Sequence, residues 1–129
     1  MNEECHNALL KLLGRLTRQE TADPFLEPVD PVEMGILDYF NVVKSPMDLG
    51  TIDSNLEHNL YSSPLEVLED VLHMLDNAVL YNKPGDAVVK QAAAMKTKFI
   101  SLVNGSEVRL ESSPSSHLLF SRTLASMSC

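Results

Sequence analysis

The chain has 129 residues, with 18 Asp and Glu against 10 Lys and Arg, a formal net charge of -8 at pH 7. A surface that acidic repels phosphate, which argues against sequence-independent binding to nucleic acid or anionic lipid and suits a basic partner. The length fits one domain burying roughly two-thirds of its unfolded surface, the 44% hydrophobic content is too high for a disordered acidic chain, and no run of about 18 apolar residues is present to span a membrane.

The first residues, Met1-Asn2-Glu3-Glu4, are acidic where a secretory signal is basic, which points to an intracellular context. Cys5 and Cys129 stand at opposite ends and match neither a metal-type spacing nor a disulfide framework, in keeping with a reducing compartment. Leu9, Leu12, Leu13 and Leu16 recur at i, i+3, i+4 and i+7, and predict a first helix over about 4–19. Polar residues follow, and Pro24 blocks any continuation. From Thr21 to Asp48 no helical period is evident. This stretch holds Pro24, Pro28, Pro31 and Pro46, four of the seven prolines, together with Phe25, Leu26, Val29, Met34, Ile36, Leu37, Tyr39, Val42 and Val43. Connections between helices ordinarily take about 2–8 residues, so so long and apolar a loop is expected to be ordered, packed and functional.

A second helix is predicted over about 49–59, with Leu49, Ile52 and Leu56 on one face and Asp48 as N-cap. The third, about 64–80, has the clearest start: Ser63-Pro64-Leu65-Glu66 combines a cap serine, proline at the first helical position and a capping-box glutamate. Its expected buried stripe is Leu65, Leu68, Leu72, Leu75 and Val79, with Glu66, Glu69, Asp70, His73 and Asp76 facing water. A short loop over 81–86 leads to a fourth helix, about 87–103, capped by Asp86 and burying Val88, Ala92, Met95, Phe99 and Leu102. Nothing alternates convincingly at period two. The fold class is therefore all-α, with four amphipathic helices forming a four-helix bundle over residues 1–103. Residues 104–129 form a separate tail with eight serines, in which Leu118, Leu119, Phe120 and Leu124 could pack as a short helix.

Catalytic constellations are absent from the sequence. His6, His58, His73 and His117 are isolated, so no metal site is expected. The five glycines are scattered, with no phosphate-cradling loop and no GxSxG elbow. Cys5 lies in a terminal segment, and its chain neighbour His6 gives it no positioned base. A cofactor is not called for, and the expectation is a protein that is not an enzyme.

Three segments stand out: Pro24-Phe25-Leu26-Glu27-Pro28-Val29-Asp30, then Asp38-Tyr39-Phe40-Asn41-Val42-Val43-Lys44-Ser45-Pro46-Met47-Asp48-Leu49-Gly50, then Leu80-Tyr81-Asn82-Lys83-Pro84-Gly85-Asp86. In this order, on four helices with the long loop between the first two, they resemble the bromodomain family over about residues 7–103. The wording is most similar to that of the double-bromodomain transcription regulators. The resemblance implies a left-handed four-helix bundle whose two loops at one end form an acetyl-lysine pocket. It also implies a nuclear location, and a monomer that reads acetylated lysine in a histone tail or another basic protein. Small-molecule mimics of acetyl-lysine would fit the same pocket, and neither nucleic acid nor membrane would be a direct partner.

By the same resemblance, Asn82 donates its amide to the acetyl carbonyl and Tyr39 reaches that carbonyl through a water. Phe25 and Val29 line the floor and wall, Tyr81 lines the pocket beside the asparagine, Met34 and Ile36 line the opposite side, and Val88 flanks the aliphatic stem. Each has a plainer role as well: Asn82 before Lys83-Pro84-Gly85 is a turn-former, and the tyrosines suit an ordinary core. Three positions depart from the family's pattern. Asp23 stands where the family has tryptophan, Leu37 where many members have proline, and Ala78 where a bulkier residue is usual. The alternative is a non-catalytic scaffold bundle that holds a protein partner regardless of acetylation, and an acidic-rim esterase or deacetylase is the enzymatic rival.

Overall fold

A computed structural model describes residues 1–106 and 108. The predicted Leu118–Leu124 cluster and Cys129 lie outside the described residues. The order of elements is α1 (Glu3–Thr17), a 3-10 helix (Glu20–Phe25), α2 (Tyr39–Val42), α3 (Leu49–Glu57), α4 (Pro64–Tyr81) and α5 (Ala87–Asn104). The described residues contain no strand. Helices α1, α3, α4 and α5 make the all-α bundle expected from the periodicity.

Local signals set the starts. The Asn2 side chain accepts the Cys5 N–H at 2.7 Å, and Glu3 and Glu4 face the positive end of the α1 dipole. Asp48 is buried, and its carboxylate takes the Thr51 N–H at 2.9 Å and the Thr51 hydroxyl at 2.6 Å. Glu66 reaches back from the first turn of α4 to accept the N–H of Ser62 (2.8 Å) and of Ser63 (3.0 Å). Asp86 occupies the N-cap of α5, but its carboxylate turns away to accept the Lys83 N–H at 3.1 Å.

The core gathers the four predicted leucines of α1, all of Leu49, Ile52 and Leu56 from α3, and Ala92, Met95 and Phe99 from α5. Val88 and Leu102 are only half-buried. Helix α4 packs against α1, α2, α3 and α5, so it buries a wider arc than one stripe. Val67, Val71, Met74, Asn77 and Ala78 join Leu68, Leu72 and Leu75, while Leu65 is half-buried.

Three sequence expectations are corrected. Val79 is 55% exposed: the last buried arc of α4 is centred on Met74 and Ala78, and each further residue turns about 100° around the helix. Asp70 and His73 do not face open water. Asp70 accepts the Tyr61 hydroxyl at 2.6 Å, and burial, reinforced by this bond, pushes the Tyr61 phenol well above its ordinary value. His73 Nε2 lies 2.6 Å from the Ser45 carbonyl, where the Asn77 amide also donates at 2.9 Å. A carbonyl can only accept, so that imidazole nitrogen carries the proton. Finally, the stretch from Thr21 to Asp48 contains helix after all. The 3-10 helix accommodates Pro24 and buries Ala22 and Phe25, and the single turn of α2 buries Tyr39.

Between those two pieces the chain turns on its own hydrogen bonds. The Asp30 carboxylate accepts the N–H of Val32 and of Glu33, and Ile36 donates to the Pro31 carbonyl. Gly35 sits at φ 71°, a left-handed conformation that glycine adopts without steric cost. The segment is thus pinned at both ends, by Phe25 in the core and by the His73–Asn77 clasp on Ser45.

Candidate functional site

The long loop and the α4–α5 connection meet at one end of the bundle and enclose a cavity of about 670 Å³. One wall comes from the 3-10 helix and the residues after it, namely Asp23 to Val29. Met34, Ile36, Tyr39 and Met47 line it from the rest of the long loop, and Met74 and Ala78 from α4. Tyr81 and Asn82 close the α4 side, and Ala87, Val88 and Gln91 the α5 side. All eight sequence-predicted residues (Phe25, Val29, Met34, Ile36, Tyr39, Tyr81, Asn82 and Val88) therefore border one cavity.

Phe25 and Tyr39 are buried, Val29, Ile36, Tyr81, Asn82 and Val88 are half-buried, and Met34 is exposed at the mouth. Asn82 is the C-cap of α4. Its backbone N–H donates to the Ala78 carbonyl at 3.1 Å, and its side-chain Nδ2 donates to that same oxygen at 3.0 Å. Only an N–H can meet a carbonyl oxygen, so this contact fixes which end of the amide is nitrogen. Nδ2 carries two hydrogens, and one remains for a ligand.

The tyrosines form a small aromatic group. Tyr39 packs edge-on against Tyr81 at 5.0 Å between centroids and against Phe40 at 5.6 Å. The Tyr81 hydroxyl donates to Asp38 at 2.6 Å, tying the end of α4 to the residue that precedes α2. That bond to a carboxylate raises the Tyr81 phenol above its ordinary value. Burial does the same for Tyr39. Both hydroxyls therefore keep their protons near neutral pH. Among the described residues no partner meets the Tyr39 hydroxyl.

Met47, Met74, Ala87 and Gln91 also border the cavity and were not singled out from the sequence. A signal existed for part of this set. Met74, Ala78 and Asn82 are spaced by four on one helix and so share a face. Met47 gave none, because its place depends on how the chain enters α3.

One backbone contact sets the depth of the 3-10 wall. Gly50, in the first turn of α3, donates its N–H to the Leu26 carbonyl at 3.1 Å. A Cβ there would stand 2.9 Å from that oxygen. Gly50→Ala should thus lower stability by about 1 kcal/mol, because displacing Leu26 costs about 1–3 kcal/mol and outweighs the helix-propensity gain of about 1. Thermal unfolding checks the sign; a stabilised Gly50→Ala protein would show that the approach is loose.

These features make a four-helix bundle with one cavity at its loop end, lined largely by apolar side chains, and an asparagine amide there oriented by the Ala78 carbonyl. The chain belongs to the bromodomain family, whose sequence pattern matches residues 9–94. It is 47% identical over 90 residues to Transcription factor GTE10 of Arabidopsis thaliana, covering 70% of this chain and 8% of that protein. Against Transcription factor GTE3, chloroplastic, of the same organism, it is 41% identical over 97 residues, or 75% of this chain and 20% of that protein. The chain thus spans a small fraction of the length of these relatives.

Proposed function

We propose that the chain reads acetylated lysine in a histone tail or another basic protein, as a non-catalytic module acting in the nucleus on chromatin or transcription. The observation that carries this reading is the Asn82 amide, oriented by Ala78, at the edge of a cavity lined largely by apolar side chains. Acetylation removes the charge of lysine and leaves an amide carbonyl on an aliphatic stem. The stem finds Phe25, Val29, Ile36 and Val88, and the carbonyl finds the free N–H of Asn82. A water held by the Tyr39 hydroxyl completes the acceptor's partners. An ammonium group would lose its hydration here without compensation, at a cost of several kcal/mol.

Affinity for a short peptide is expected to be weak. About ten heavy atoms at roughly 0.3 kcal/mol each supply about 3 kcal/mol, so contacts to flanking residues must bring Kd into the range of about 0.1–1 mM. A titration of the 15N-labelled protein should shift the amide signals of Tyr39 and Asn82 with an acetylated peptide and leave them in place with the unmodified one. Free acetyl-lysine mimics should compete, and no acetate should be released. Equal shifts with both peptides would instead favour the scaffold alternative.

A further inference from the structure

The loop from Thr21 to Asp48 carries six acids against one base, Lys44, and the structure divides the acids by occupation. Asp30 is spent on the N–H groups of Val32 and Glu33. Asp38 accepts the Tyr81 hydroxyl, and Asp48 caps α3 through Thr51. Asp23 and Glu27 are different. Both are exposed, both border the cavity, and among the described residues neither carboxylate has a hydrogen-bond or ion-pair partner. Asp23 lies in the 3-10 helix and Glu27 just past its end, four residues on. Glu33 is also exposed and unspent, but it does not border the cavity.

We infer that Asp23 and Glu27 select acetyl-lysines that have an unmodified lysine or arginine close by in the ligand sequence, and select against ligands whose neighbouring lysines are also acetylated or neutral. This rests on the acetyl-lysine assignment above. The acetyl group enters the apolar cavity, and the adjacent cation stays at the mouth against the two carboxylates. Neither carboxylate is already neutralised by the protein, so the ligand's charge meets a full negative field there. Exposed pairs are individually weak and screened by salt, so the selectivity is modest, additive over the two residues, and largest at low ionic strength.

The test compares two synthetic peptides with one acetyl-lysine each, one flanked by lysine or arginine and one with glutamine at those positions, titrated calorimetrically into the whole chain at about 20 and about 300 mM salt. At low salt the basic peptide should bind about three- to tenfold more tightly, and the ratio should shrink as salt rises. In the D23N/E27Q double variant the ratio should fall close to one. In E33Q, which removes the same kind of charge away from the cavity, the wild-type ratio should persist. A ratio retained in D23N/E27Q, or lost equally in E33Q, would overturn the inference in favour of an effect of net charge alone. If both peptides bind equally to the wild type, this inference falls and the acetyl-lysine assignment stands. If neither binds, the acetyl-lysine assignment falls and takes the inference with it.

Discussion

Replacing Asn82 with alanine should abolish the response to acetylated peptide while the bundle stays folded. The donor it removes is a polar group at the cavity whose direction is fixed by the Ala78 carbonyl. Without it, the acetyl carbonyl enters an apolar space unpaired, which costs about 1–3 kcal/mol, or roughly a 5- to 150-fold loss. Binding that starts weak then drops below detection. The fold should hardly notice. The Ala78 carbonyl keeps the backbone N–H of residue 82 at 3.1 Å, so the end of α4 retains its last hydrogen bond. A melting temperature within a few degrees of wild type is the expected control. Asn82→Asp sharpens the point, since it conserves shape but supplies a carboxylate that only accepts. It should lose binding as fully as alanine does. Should either variant bind within twofold of wild type, Asn82 is only a turn-former and the donor assignment is wrong.

How far the molecule was legible in its sequence follows from the kind of signal each part carries. Helix starts were readable because caps are local: Asp48 to Thr51 and Ser63 to Glu66 span three residues and depend on nothing else. The leucines of α1 were readable because one face of that helix meets the core. In α4 the single-stripe rule failed, since that helix touches α1, α2, α3 and α5 and turns Met74 and Ala78 rather than Val79 inward. The clasp of His73 and Asn77 on Ser45 joins residues 28 and 32 positions apart. No periodicity reports such a contact, so His73 resembled a surface residue. The 3-10 helix was hidden behind Pro24, which stops an α-helix but fits a tighter turn. The eight site residues came from matched segments rather than from physical pattern. Their meeting around one cavity follows from two loops at the same end of the bundle, and it leaves their role in binding to the titrations above.

The largest effect on stability should come from Phe99→Ala. Phe99 is fully buried in α5, and that helix packs on α4, on α1 and on the 3-10 helix that forms one wall of the cavity. Deleting its ring removes the transfer energy of a large aromatic group and leaves a void that the surrounding leucines fill only in part. The expected cost is about 3–5 kcal/mol, a large share of a total near 5–15, with a fall in melting temperature of roughly 12–20 °C. Ile100, its half-buried neighbour, should cost clearly less on truncation. Phe99 does not border the cavity, so below the new melting temperature the folded protein should bind acetylated peptide with its wild-type Kd. Saturating peptide should also raise the melting temperature, because a ligand that binds only the native state stabilises it by mass action. Asn82→Ala and Phe99→Ala thus separate binding from folding in opposite directions. If Phe99→Ala weakened binding by the folded protein more than about threefold, the core beneath the cavity would have to be counted part of the site, since α5 carries Val88 and Gln91 at the cavity and packs on both α4 and the 3-10 helix.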